Sequence, residues 1–178
     1  LCRLRDEVRA QPYGTPLHGL VVCRDFPFPP AHYLATCGGL FRDCACHDLD
    51  WVCHALEATP IAVSARITDD QETARVVLEF ASGFDCTFVH SRHSDSYDQR
   101  AMIFCRRGCL QVENPPAADE ALSFSARYAA SYRAQMKHFV ACITAGDVTP
   151  NVTRDEAERL ERVLCACETS AAHGGRRC

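Results

Sequence analysis

Carboxylate and imidazole side chains recur between residues 43 and 54, as Asp43, His47, Asp50 and His54, at spacings of four, three and four. At about 100° per residue these four share a helical stripe roughly 60° wide. Ala45, Leu49, Val52, Cys53 and Leu56 take the opposite side. A helix here has one dry face and one narrow ionisable face. Asp43 and His47, one turn apart, could hydrogen-bond or touch one substrate group together. Such a pair can move protons near neutral pH, because histidine titrates there and a neighbouring carboxylate orients the ring. An ordinary solvated polar face with a helical ion pair fits the same spacing. The ligand types also suit a metal, but four ligands from one helix make poor coordination geometry, so no metal is expected.

Several elements must position this helix. Residues 4–10 read as the end of a helix broken by Pro12 and Gly14. Residues 17–23 are apolar and β-branched, as in a strand. Phe26-Pro27-Phe28-Pro29-Pro30 cannot be regular structure and forms a loop into the motif helix, which is expected over residues 43–57. Strands follow at 60–67, 73–80 and 84–90, the last two joined by a tight hairpin at Ala81-Ser82-Gly83. A second hairpin joins 102–105 to 109–113, and Asn114-Pro115-Pro116 ends the sheet. Phe84, Cys86, Phe88 and His90 share one side of their strand.

A helix is expected over residues 123–145, with Phe124, Tyr128, Met136, Phe139, Val140 and Ile143 near its apolar side and Gly146 as its C-cap. Another starts at Thr153 with the capping box Thr153-x-x-Glu156, and Ala157, Leu160, Leu164, Cys167 and Ala171 line one face. The layout is α+β, an open, mainly antiparallel sheet with helices on one face. Residues 1–172 form one domain, followed by a flexible tail at 173–178.

Composition narrows the function. The chain has 178 residues, enough for one domain with a core, and a formal charge of −4. Arg106-Arg107 and Arg176-Arg177 are isolated basic pairs, so nucleic-acid binding has little support. No apolar run approaches the roughly 18 residues of a membrane span, and no signal peptide is visible. Thirteen cysteines are unusual. They include no C-x-x-C pair, which argues against a zinc ribbon or thioredoxin site. Cys23, Cys86, Cys105 and Cys142 fall at core positions and read as small hydrophobes; a disulfide framework is the competing reading. Asn151-Val152-Thr153 fits a glycosylation acceptor and equally a helix start.

The run GGLFRDCACHDLDW at 38–51 resembles the Gly-Gly-x-x-x-Asp-x-x-x-His-x-x-Asp segment of the glucose–fructose oxidoreductase / inositol dehydrogenase / MocA family. Gly14-Thr15-Pro16-Leu17-His18 is similar to the family's entry into the first strand of its C-terminal domain. Tyr97-Asp98-Gln99-Arg100, Phe104 and residues 108–114 resemble its YDQR…F…G…LQVEN hairpin, and residues 128–140 its RYxxxYRxxxxHFV helix. The resemblance covers about residues 1–172 and points to the inositol 2-dehydrogenase branch.

It implies the substrate-binding and oligomerisation part of an NAD(P)-dependent oxidoreductase acting on the CH–OH group of a cyclitol or sugar. His47 is then the general base. Asp43 orients His47 and contacts substrate. Tyr97, Arg24 and Asp25 are candidate substrate contacts, although Tyr97 also reads as a packed strand aromatic and the Arg24-Asp25 pair as plain surface. Asp95 stands where some relatives carry a second tyrosine, which leaves the particular polyol open. The family's Rossmann domain, with its G-x-G-x-x-G loop and the Glu-Lys-Pro segment that supplies a catalytic lysine, has no counterpart here. The one lysine is Lys137. The cofactor, NAD or NADP, is therefore expected to be bound mainly by a domain outside this chain, as in the C-terminal part of a longer protein. A free-standing, non-catalytic oligomerisation or scaffold module that has lost its cofactor domain is the alternative. A homodimer or homotetramer formed through the open sheet face, and a cytoplasmic location, are also implied.

Overall fold

Period-two alternation decides which side of each strand is dry. The computed structural model describes residues 2–113, 126, 128–146 and 152–178, with side chains from residue 4. Its strands are β1 (Pro16–Arg24), β2 (Ala62–Ile67), β3 (Thr73–Glu79), β4 (Asp85–Ser91), β5 (Asp98–Cys105) and β6 (Gly108–Glu113). They form one open sheet in the order β2-β3-β4-β1-β5-β6. β1 is parallel to β4, and every other neighbouring pair is antiparallel. In β4, Cys86, Phe88 and His90 are fully buried, while Asp85, Thr87 and Val89 are half-buried on the other side. Val76, Phe88, Val21 and Ala101 stand opposite one another across four strands and form a buried row.

Helices cover that row. α3 (Cys46–Leu56) contributes Leu49, Val52 and Cys53, and α5 (Arg154–Ala172) contributes Val163, Leu164 and Cys167. α1 (Cys2–Ala10) adds Leu4 and Val8 against α3 and β6. Each large apolar side chain buried here stabilises the fold by about 1.5–3 kcal/mol. Gly19 in β1 is required by close approach, because a Cβ there would lie 2.6 Å from Cys86 Sγ and 2.9 Å from the Phe84 ring.

The capping box is present: Thr153 Oγ1 accepts from Glu156 N (3.2 Å), and Thr153 N donates to Glu156 Oε2 (2.8 Å). α4 (Ala129–Ala145) ends at Gly146 with a φ of 65°, as the glycine leads one to expect. Its apolar stripe is real but uncovered among the described residues: Tyr132, Met136, Phe139, Val140 and Ile143 are all exposed. Cys142, on this helix, is only half-buried rather than core. The expected helix start near Phe124, the Asn114-Pro115-Pro116 break and the Asn151 acceptor lie outside the described residues.

Residues 173–178, read as a flexible tail, are instead pinned to the sheet. Val63 N donates to Cys178 O and Cys178 N to Val63 O, both at 2.9 Å, and Arg177 pairs with Glu79 at 2.9 Å. The tail thus covers the edge strand β2, whose unpaired backbone groups would otherwise face solvent. Ser170 Oγ fastens the turn by donating to Arg176 O (2.5 Å) and accepting from Ala65 N (2.9 Å). Ser170 is fully buried. Ser170→Ala is expected to cost about 1–3 kcal/mol, because the Ala65 N–H loses its partner. Urea unfolding checks this, and an unchanged midpoint would show that the tail contact is idle.

Candidate active site

The motif helix does not begin as an α-helix. Residues Phe41–Ala45 form a π turn, closed by Cys46 N donating to Phe41 O, and α3 continues from it. Its first turn faces a cleft of about 730 Å³. The proline-rich loop carrying the short helix α2 (Ala31–Leu34) forms one wall. Asp43, Cys44, His47 and Asp48 form another, and Tyr97, Gln99 and Tyr128 line the remainder.

The four-residue polar stripe is divided along its length. Asp43 and His54 are eleven residues apart, about 16 Å along a helix axis. Asp43 and His47 face the cleft, whereas His54 Nδ1 lies 2.9 Å from Glu156 Oε1 in α5. Asp50 faces the same helix. Burial pushes its carboxyl up, and Arg159 opposes that rise. The four side chains do not converge, and the described residues hold no cluster of three metal-ligating groups.

Asp43 is held by partners other than His47. Its Oδ1 accepts from Tyr33 OH (2.7 Å) and its Oδ2 from Arg92 Nη2 (2.5 Å). The hydrogen bond to Asp43, followed by burial, pushes the Tyr33 phenol up to about 12. No hydrogen bond joins Asp43 to the His47 imidazole among the described residues; Tyr33 and Arg92 hold the carboxylate instead. His47 is solvent-exposed on the cleft wall, and its imidazole makes no hydrogen bond among the described residues.

Below the cleft floor lies a buried pair. Asp48 Oδ2 is 3.0 Å from His90 Nε2, and both residues are fully buried. Gln99 Nε2 donates to Asp48 Oδ1 at 3.3 Å, and Tyr128 OH donates to Gln99 Oε1 at 3.3 Å. Tyr97, a candidate from sequence, is buried with its hydroxyl 2.6 Å from that of Tyr128. Asp25 also lines the cleft and accepts from the Cys44 thiol at 3.1 Å.

Arg24 does not line the cleft. Alternation turns Cys23 inward and Arg24 to the opposite sheet face, where it donates to Asp98 at 2.9 and 3.1 Å. Burial works against ionisation of Asp98, but Arg100 and Arg24 outweigh it and hold the carboxyl low.

Tyr33, Arg92, Asp48, His90, Gln99 and Tyr128 were not picked out as site residues from the pattern. Asp48 did carry a signal, an acid beside the dry face of its helix. His90 carried the matching one, an imidazole on an apolar strand face. Two such groups can be buried cheaply only if they meet.

The cysteines give a separate test. The twelve with described side chains are free thiols. Burial, followed by Asp25, pushes the Cys44 thiol far up, so it stays protonated. Alkylation of the folded protein followed by mass spectrometry is expected to mark the exposed Cys109, Cys165 and Cys178 first. Cys23, Cys53, Cys86 and Cys167 should resist until unfolding. Uniform labelling would contradict the packing described above.

The model of the GFO/IDH/MocA C-terminal domain matches residues 2–111. The chain belongs to this family. The inositol 2-dehydrogenase of Rhizobium meliloti is 28% identical over an alignment covering 74% of this chain and 47% of that protein. The scyllo-inositol 2-dehydrogenase (NAD(+)) of Bacillus subtilis is 27% identical, over 96% of this chain and 56% of that protein. The chain thus spans about half the length of the curated relatives it matches. Among solved structures, a myo-inositol dehydrogenase from Corynebacterium glutamicum superposes with a TM-score of 0.83 at 26% identity, covering 99% of this chain and 60% of that one. A myo-inositol dehydrogenase from Lactobacillus casei, in complex with NAD(H) and myo-inositol, shares the fold with a TM-score of 0.83 at 12% identity, covering 99% of this chain and 57% of that one. The open, mainly antiparallel sheet with helices on one face matches the C-terminal domain of these dehydrogenases. Among the described residues no helix is long and apolar enough to cross a membrane.

Proposed function

We propose that this domain is the substrate-binding part of an NAD(P)-dependent dehydrogenase that oxidises a CH–OH group of a cyclitol or sugar. One observation carries the reading. The Asp43 and His47 of the family motif stand on one wall of a cleft, the His47 imidazole making no side-chain hydrogen bond among the described residues and Asp43 held by Tyr33 and Arg92. The volume of about 730 Å³ suits a small ring. Its polar groups, a carboxylate, an imidazole, an amide and phenols, are those that hydrogen-bond a polyol.

His47 would take the hydroxyl proton as the carbon–oxygen double bond forms, and Asp43 would accept a hydrogen bond from a substrate hydroxyl. A bound nicotinamide supplies the hydride acceptor. The described residues contain no glycine-rich strand-to-helix loop to hold a dinucleotide, and no lysine lines the cleft. Cofactor binding is therefore assigned mainly to a domain outside this chain. Without that domain, the 178-residue chain is expected neither to bind NAD(P) tightly nor to oxidise inositol; detectable turnover by the purified chain would contradict this.

Leu20, Val22, Thr87 and Val89 on the open sheet face are half-buried, and a homodimer or homotetramer formed there would cover them. The free thiols support a reducing, cytoplasmic setting.

Titrating the ¹⁵N-labelled chain with myo-inositol tests the substrate site. Amide shifts should cluster at Asp43, His47, Tyr97 and Gln99. Shifts confined elsewhere, or none up to the solubility of the cyclitol, would overturn the assignment.

A further inference from the structure

We propose that Arg92 and Tyr33 are positioning residues that clamp the Asp43 carboxylate into the cleft wall, Arg92 from the buried side and Tyr33 from the solvent side. The proposal rests on the substrate role of Asp43 given above. Arg92 has a side chain only 1% exposed, and a guanidinium is buried only where partners replace its water. Its Nη1 donates to Glu72 Oε2 (2.8 Å) and its Nη2 to Asp43 Oδ2 (2.5 Å). A weaker contact runs from Nη2 to Cys37 Sγ at 3.5 Å. Among the described residues the buried Nε has no partner. The planar fork is therefore aimed to place both terminal nitrogens on carboxylates, at the expense of Nε.

The arm that reaches Asp43 has a fixed base. Arg92 N donates to Glu72 O (2.9 Å), tying the chain just after β4 to the turn between β2 and β3. Tyr33 arrives from the proline loop and donates to the other carboxylate oxygen at 2.7 Å. Oδ1 then holds one donor, Oδ2 holds Arg92 and a long contact from the Cys44 thiol at 3.8 Å, and both keep lone-pair capacity. A carboxylate fixed in this way can accept a substrate hydroxyl without first rotating. A simple staple between β4 and the neighbouring turn would need Glu72 but neither Asp43 nor Tyr33.

The test uses the native polypeptide that carries this chain, with myo-inositol and NAD⁺ as probes. Arg92→Lys is expected to lower kcat about 10²-fold, because a lysine cannot serve both arms and misplacement of Asp43 follows. Tyr33→Phe, at a half-exposed position that tolerates the change, should lower kcat about 2–10-fold. Cofactor KM should stay unchanged in both. Each variant combined with Asp43→Asn should be no slower than Asp43→Asn alone, because the clamp acts only through Asp43. Ser170→Ala is the remote control, losing melting temperature while keeping kcat.

Losses that add in the double variants, or wild-type kcat in both single variants, would overturn the clamp. If Arg92→Lys does not fold, Tyr33→Phe and its double variant decide. Crystal structures of the variants give a readout free of activity, and an Asp43 carboxylate that stays in place overturns the clamp. Asp43→Asn with wild-type kcat overturns instead the substrate role of Asp43, and the clamp with it.

Discussion

Replacing His47 by alanine is expected to lower kcat by about 10²–10⁴-fold, the usual contribution of a positioned general base. The effect should be confined to turnover. His47 is exposed and its imidazole makes no hydrogen bond among the described residues, so its removal strands no side-chain hydrogen-bond partner there and should change stability by less than about 0.5 kcal/mol. Cofactor affinity should hold, since the described residues contain no glycine-rich strand-to-helix loop to hold a dinucleotide. The check is kcat together with the NAD(P) dissociation constant for His47→Ala in the native polypeptide. Wild-type kcat would remove His47 from the chemistry. An equal loss of cofactor affinity would mean that the imidazole binds the cofactor rather than moving a proton.

The second large effect concerns stability. His90→Leu is expected to destabilise the fold by about 3–5 kcal/mol, the cost of stripping a buried carboxylate of its hydrogen-bonded partner. Among the described residues Asp48 would keep only the side-chain hydrogen bond from Gln99, at 3.3 Å. Set against a total stability of about 5–15 kcal/mol, that loss is severe. Asp48→Leu combined with His90→Leu should recover much of it, because two apolar groups leave no buried polar group without a partner. Urea unfolding of the single and double variants measures both. A single-variant loss below about 1 kcal/mol, or a double variant worse than the sum of its parts, would contradict the buried-pair account.

Much of this architecture is legible in the sequence. The Phe84, Cys86, Phe88 and His90 alternation places β4 and names its buried face, and the Thr153 and Glu156 capping box fixes the start of α5. The motif run places Asp43 and His47 on the cleft wall, and resemblance adds the family that the domain comparison shows. Long-range partners are not legible. Arg92 meets Asp43 across 49 residues, and no local pattern announces that contact.

The glycine- and arginine-rich tail reads as loose because backbone pairing to Val63 leaves no mark in composition. Arg24, at the end of its strand, reads equally as a substrate contact and as plain surface; strand alternation, which decides it, sends Cys23 and Arg24 to opposite faces. The even helical stripe failed because a helix face about 16 Å long meets two different neighbours, the cleft at its first turn and α5 beyond.

The central claim is that this domain binds the polyol in a hydride-transferring enzyme. Immunopurify the native polypeptide that carries this chain, and measure NAD(P)H formation with myo-inositol, scyllo-inositol and a panel of sugars. Substrate-dependent NAD(P)H formation that is lost in the His47→Ala form is the predicted result. A native polypeptide that forms no NAD(P)H with any of these substrates, or whose turnover survives loss of His47, would contradict the account.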